Sequence, residues 1–131
     1  MVEFTELVIQ AARAISPRVL SDTAFAGSVG CALLAEDGII YTGVNIDTAC
    51  SMGFCAEHGA ASAMITAGSS QIMQIVAVRD GKILPPCGRC REFISQLNNA
   101  NLDTAVLVAE DTVVSLSELL PYDWRTDESI R

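Results

Sequence analysis

Two short fragments hold the residues best suited to chemistry: Cys55-Ala56-Glu57-His58 and Pro86-Cys87-Gly88-Arg89-Cys90-Arg91. Each cysteine group falls at or near the start of a predicted helix. Free backbone N–H groups and the helix dipole favour negative charge there, which lowers thiol pKa and stabilises thiolates. Three thiolates converging from two helix starts, Cys55, Cys87 and Cys90, could hold one Zn²⁺ at about 2.3 Å each, with a fourth position left for water. Zinc held in this way lowers the pKa of a bound water and supplies hydroxide near neutral pH. Glu57 stands two residues beyond Cys55. From a helix tip its carboxylate can reach over the metal without binding it, and so move a proton. The chemistry indicated is hydrolysis.

Two rival readings use the same residues. Cys55-x-x-His58 with Cys87-x-x-Cys90 is also a valid closed Cys₃His site, which would make zinc structural and the protein non-catalytic. Cys87-Gly-Arg-Cys90 alone fits a thiol oxidoreductase, but that leaves Cys55 and Glu57 without roles. The placed Glu57 and the preceding Pro86 favour hydrolysis. Of the other cysteines, Cys31 reads as a small buried apolar residue and Cys50 as a loop thiol.

The elements that must position these groups can be read from periodicity. Phe4, Leu7, Val8, Ala11 and Ile15 recur at helical spacing, and Pro17 follows where that helix should stop. The small polar run from Ser21 to Ser28 is expected to be loop. Val29–Ala35 and Ile39–Val44 flank Glu36-Asp37-Gly38, a strand-turn-strand signal. Asn45 to Phe54 reads as a long functional loop. Cys55 to Ala67 is Ala-rich and ends at Gly68, so a helix is predicted. Ile72–Val78 is a strand, Cys87–Leu97 a helix, Thr104–Ala109 a strand, and Val113-Val114 a short further one. Ser115-Leu-Ser-Glu118 has capping-box spacing before Leu119, Leu120 and Pro121. This order predicts one layered α/β domain with a mixed sheet over residues 1–131. Asp127, Glu128 and Arg131 read as a solvated tail.

Composition narrows the partners. The 131 residues carry a formal charge of −8, with eight Lys and Arg in all. A chain that grips a polyphosphate backbone needs a basic face, so neither a nucleic acid polymer nor an anionic membrane fits. A small neutral or cationic ligand does. No apolar run nears the roughly 20 residues of a membrane span. The opening segment carries Glu3 and Glu6 instead of a basic head. Five cysteines, an odd number, suit a reducing compartment with metal or thiol chemistry, hence the cytoplasm. Half the residues are apolar. On so short a chain that surplus suggests burial between subunits, although a well-filled monomer core is the alternative.

The order ligand-x-Glu…Pro-Cys-x-x-Cys is that of zinc deaminases, and here the chain resembles the cytidine deaminase family. Besides CAE and PCGRCRE it has VGCALL, IYTGVNID and SELLP. These are similar to the family's VGAALL, YTGVNIEN, CAER, PCGxCRQ and ELLP segments, and together they span about residues 29 to 124. TGVN, CAE and PCGRCR also resemble blasticidin S deaminase, and a Cys in the first ligand position points to the tetrameric branch. The resemblance implies a three-layer α/β/α sandwich, one Zn²⁺ per subunit, and sites shared between subunits of a homotetramer. It implies hydrolytic deamination of a small nucleoside, cytidine or deoxycytidine, to uridine or deoxyuridine and ammonia, as in pyrimidine salvage.

Carried over by residue, Cys55, Cys87 and Cys90 match the metal ligands and Glu57 the proton shuttle. Asn45 and Asp47 match the Asn-x-Glu pair that binds ribose, with Asp one methylene shorter than Glu. Ala56 matches the residue whose backbone touches the base. Trp124 matches a C-terminal aromatic that packs on the base of a neighbouring site, and could equally be a hydrophobic plug. His58 replaces an Arg that hydrogen-bonds the thiolates. Arg89, Arg91, a protonated His58 or the helix dipoles would then offset the negative charge of three thiolates on zinc. Glu92 replaces the Gln of CRQ. The PYSxF segment is missing, and Phe25 lies two residues too far from Gly30 to be assigned to base stacking. The stretch from Asn45 to Cys55 is one residue short. These departures leave a changed substrate open, such as a blasticidin S-like cytosine nucleoside antibiotic.

Overall fold

The computed structural model describes residues 3–126. Helix α1, Thr5–Ala14, buries Leu7 and Ala11 along one stripe, with Phe4 just before it. It ends at Ile15, whose extended backbone leads into Pro17. Strands β1 (Arg18–Ser21), β2 (Ala24–Ala35) and β3 (Ile40–Thr48) follow. Helix α2 spans Ala56–Ala67, with Cys55 as N-cap and a left-handed Gly68 ending it. Then come β4 (Ile72–Arg79), β5 (Lys82–Leu84), α3 (Gly88–Leu97), β6 (Ala105–Ala109) and β7 (Thr112–Ser115).

The strands form one mixed sheet in the order β3-β2-β4-β6-β7. β1 extends the sheet beside one end of β2, and β5 beside one end of β4. β4 and β6 run parallel, because the chain returns through α3, while β2/β3, β2/β4 and β6/β7 are antiparallel. Side-chain alternation divides the core into two. Cys31, Leu33, Ala35, Ile75 and Ala77 pack with Ala60, Met64 and Ile94 of α2 and α3. Ala32, Val76, Val78 and Leu107 pack with Phe4, Leu7 and Ala11 on the opposite face. This is the expected three-layer α/β/α arrangement.

Two local expectations require correction. The run 21–28 is not loop, since β1 and β2 pair there. Its small residues conceal a β-bulge between Ala26 and Gly30, with Gly27 at φ 90°, where a side chain would be strained. The register then sets Phe25 across from Asp47, on the same face of the sheet. The bulge therefore absorbs the residues that lengthen the offset to Gly30. The stretch 45–54 is also not one loop. β3 continues through Asn45 to Thr48, followed by a 3-10 turn at Ala49–Ser51. The expectation at Ser115 is met. Its capping box with Glu118 is formed and starts one 3-10 turn, Leu116–Leu119. Strand β5, three residues long, had no sequence signal. Asp127, Glu128 and Arg131 lie outside the described residues.

Candidate active site

The N-termini of α2 and α3 meet at one end of the sheet, with Cys55 and Cys87 as their N-cap residues in extended conformation. Cys90, in the first turn of α3, is fully buried. The Sγ atoms of Cys55 and Cys87 are 3.4 Å apart, and those of Cys87 and Cys90 3.5 Å. Among the described residues these three sulfurs form a metal-capable group, all lying within 4.8 Å of one another. Tetrahedral coordination at about 2.3 Å per Zn–S bond sets sulfurs roughly 3.8 Å apart, so the set fits zinc with little movement.

The surroundings act differently on each thiol. Burial pushes Cys55 up, with the Cys87 thiol adding to it. Burial also pushes Cys90 well up, reinforced by the Glu57 charge. At Cys87 burial acts upward too, but the Cys90 backbone N–H and the Cys55 and Cys90 thiols outweigh it, and its pKa falls below the usual value. Hydrogen bonds from a helix start favour the thiolate here.

His58 sits outside the three-sulfur group. Its Nδ1 is 3.3 Å from Cys90 Sγ, and its ring stacks on Phe93 with centroids 4.1 Å apart. Burial lowers its pKa, and the nearby Arg89 charge lowers it further. Arg89 and Arg91 both donate to backbone carbonyls. Arg89 donates to Gly53 O at 3.0 Å, while Arg91 donates to Pro86 O at 2.7 Å and Leu119 O at 3.4 Å. They brace the loops that carry the cysteines.

A cavity of about 560 Å³ opens beside the sulfurs, and Cys55, Ala56, Glu57 and Cys87 line its metal end. Glu57 is only 5% exposed, and burial raises its carboxyl above the ordinary range, partly offset by its own backbone N–H and the Cys90 thiol. Asn45 and Asp47 line the cavity from β3. Asn45 is buried and hydrogen-bonded at both ends of its amide. Its Oδ1 accepts from Val29 N–H at 2.9 Å, and its Nδ2 donates to Ser28 Oγ and to both Asp47 oxygens at 3.2 Å. Alternate residues of a strand share a face, which puts both polar ends on the same wall. Mutual backbone hydrogen bonds between Ile46 and Phe54, at 3.0 and 2.9 Å, fasten the segment before Cys55 to that wall.

Close approach of α2 to β3 completes the positioning. A Cβ on Gly43 would lie 2.2 Å from Ala60 N and 2.8 Å from Ala56 O, so only glycine lets the helix carrying Glu57 sit this near the sheet.

Of the sequence-predicted residues, the cavity and sulfur group bring together Cys55, Ala56, Glu57, Cys87, Cys90, Asn45, Asp47 and Arg89. Trp124 is not among the residues lining it. Its indole Nε1 instead donates to Glu92 Oε2 at 3.0 Å on α3. Sequence reasoning missed Ser28, which lies inside the bulge and reaches Asn45. It also missed Phe54, Arg79 and Leu84, which line the cavity. The Ile-Asp-Thr-Ala-Cys-Ser-Met-Gly-Phe stretch carried no marker for Phe54, and the shortness of β5 hid Leu84.

Residues 3–108 match the family described as the cytidine and deoxycytidylate deaminase zinc-binding region. The chain belongs to this family. Over 98 residues this deaminase-family chain is 38% identical to the cytidine deaminase of Sporosarcina psychrophila, covering 71% of each protein. It is 39% identical over 100 residues to that of Halalkalibacterium halodurans, covering 71% of this chain and 74% of the relative. Its fold is similar to the crystal structure of cytidine deaminase from Mycobacterium tuberculosis, with a TM-score of 0.79 and 26% identity over 95% of this chain and 98% of the other.

Proposed function

We propose that this family member is a zinc-dependent hydrolase that converts cytidine or deoxycytidine to uridine or deoxyuridine and ammonia. The observation that carries the reading is a buried carboxyl, Glu57, at the end of a cavity lined by Cys55 and Cys87 of the three-cysteine group and walled by Asn45 with Asp47. The relatives named cytidine deaminases support the substrate class. Bound zinc supplies Lewis acidity and lowers the pKa of a coordinated water. Cys55, Cys87 and Cys90 hold it, one ion per subunit. Glu57 would take a proton from water and deliver it to the ring nitrogen as the water oxygen bonds to the amine-bearing carbon; it would then pass the second proton of that oxygen to the amine, which leaves as ammonia when the C–N bond breaks. Its raised pKa suits a group that must both accept and release that proton.

Asn45 and Asp47 hold the sugar, and the backbone of Ala56 touches the base. His58 packs against the Cys90 sulfur, while Arg89 and Arg91 add positive charge near the thiolates and brace their loops. Trp124 is contributed to a neighbouring copy, as part of a homotetramer whose sites lie between subunits. Large apolar side chains left on the surface support association: Val19 is 75% exposed and Met52 78%. Five free cysteines support a reducing, cytoplasmic setting. Residues 1–131 act as a single domain in this reading, and pyrimidine salvage is the role it fits. No described helix is long and apolar enough to cross a membrane. A closed Cys₃His site is not favoured, because the sulfurs group without the imidazole. A redox pair would leave Cys55 and Glu57 idle.

Ammonia release from cytidine, deoxycytidine, cytosine, blasticidin S and aminopurines tests the reading. Turnover of cytidine or deoxycytidine is expected. Turnover of blasticidin S alone would transfer the function to that antibiotic, and release from none would leave a binding protein.

A further inference from the structure

The C-terminal segment is tied to α3 more tightly than a plug requires. Arg125 is only 8% exposed, and its Nη2 donates to Ser95 Oγ at 2.7 Å, Glu92 Oε2 at 3.2 Å and Asp123 Oδ1 at 3.2 Å. Glu92 also accepts the Trp124 Nε1–H at 3.0 Å, and the Arg125 guanidinium lies 5.1 Å from the Trp124 ring centroid. The indole is therefore held by its N–H and by its face, yet it remains 48% exposed. In a chain with 5% aromatic residues, a large ring that is immobilised and still presented outward is available for contact.

Glu92 lies two residues after Cys90 on the helix that carries two of the three cysteines. The clasp thus references Trp124 to the same rigid element as the metal group.

We infer that Glu92, Ser95, Asp123 and Arg125 are positioning residues that lock Trp124 in the orientation with which it meets the substrate base. This rests on the reading that Trp124 reaches the site of a neighbouring copy. It also gives the acidic Glu92 a role: a carboxylate can serve the buried guanidinium and the indole N–H together, with charge-assisted strength.

Trp124 is the only tryptophan, so its fluorescence reports the clasp directly. The holoenzyme carrying Glu92→Ala, Glu92→Gln or Arg125→Met is assayed for acrylamide quenching, zinc content and cytidine kinetics, and Trp124→Ala for zinc content and kinetics alone. Glu92→Ala and Arg125→Met are expected to raise the quenching constant about twofold and KM about tenfold, with zinc unchanged and kcat within about threefold. Glu92→Gln, which keeps an acceptor, should move both readouts less. Trp124→Ala should raise KM at least as much as Glu92→Ala. If Arg125→Met does not fold, the Glu92 pair decides, since that side chain is partly exposed. Unchanged quenching in Glu92→Ala, or increased quenching with KM unmoved, overturns the clasp. An unmoved KM in Trp124→Ala overturns instead the contact on which it rests.

Discussion

Replacing Gly43 with alanine would put a methyl group 2.2 Å from Ala60 N, 2.5 Å from Gly59 C and 2.8 Å from Ala56 O. All three are backbone atoms of α2 and cannot turn aside as a flexible side chain would. Restoring an ordinary contact near 3.4 Å requires the helix and strand to separate by about 1.2 Å. That movement carries Cys55 and Glu57 away from Cys87 and the Asn45 wall. Overpacking of this kind costs about 1–3 kcal/mol of stability. A displacement of about 1 Å at a reacting group costs on the order of 100-fold in rate. The expected result is a melting temperature lowered by several degrees and turnover lowered by about two orders of magnitude, read by circular dichroism and by cytidine absorbance. Gly59→Ala is the matched control. Its Cβ would meet Val44 O at 3.3 Å and Gly43 Cα at 3.4 Å, a gap that a few tenths of an ångström relieves. If Gly43→Ala kept wild-type melting and turnover, or if Gly59→Ala were the more damaging change, the helix-strand spacing would not be what places Glu57.

Two further outcomes can be measured. Asp47→Ala removes one of the two residues that accept from Asn45 Nδ2 on the cavity wall and should lower kcat/KM for cytidine at least about tenfold, while Asp47→Glu should lower it less. An unchanged kcat/KM in Asp47→Ala would remove that wall from sugar binding. Tyr41→Phe addresses the far end of the β2–β3 hairpin, where hydrogen bonds from Tyr41 Oη at 2.7 Å and from Ile39 N–H lower the pKa of Asp37. A lowered folded-state pKa contributes stability at pH above the unfolded carboxylate value and loses it as pH falls through the folded value. The melting difference between wild type and Tyr41→Phe should therefore be present at pH 7 and close in acid, and a difference that widened in acid would reverse the assignment.

The metal end of the site was legible because its signals are local. Cys55 and Cys87 are N-caps, a role written in the residues just before an Ala-rich run and just after Pro85-Pro86. The two-core sheet was legible for a similar reason, since Val29–Ala35 and Ile72–Val78 are apolar on both faces and had to be covered twice. What stayed hidden depends on pairing between distant segments. The run 21–28 looks like loop because most of its residues are small or polar and β3, which pairs with its β2 part, lies some twenty residues on. Asn45 was named for its chemistry, but its partner Ser28 becomes visible only once the bulge is folded. Asn101 shows the same limit. It is fully buried, with Oδ1 accepting from Ile72 N–H and Nδ2 donating to Ser70 O and Ile94 O, and so joins the start of β4 to α3. In sequence it is one polar residue in a polar run. Trp124 was identified as the aromatic of interest, while its anchor on Glu92 depends on the tertiary meeting of the C-terminal segment with α3.

Glu57→Gln gives the most direct test of the proposed chemistry. The substitution preserves the shape of a side chain that is 5% exposed and removes its ability to carry a proton. With zinc content and turnover measured on the same preparation, the protein should retain one zinc per chain while kcat for cytidine falls by about 10²–10⁴. A variant that holds its zinc and turns cytidine over at the wild-type rate would contradict the account.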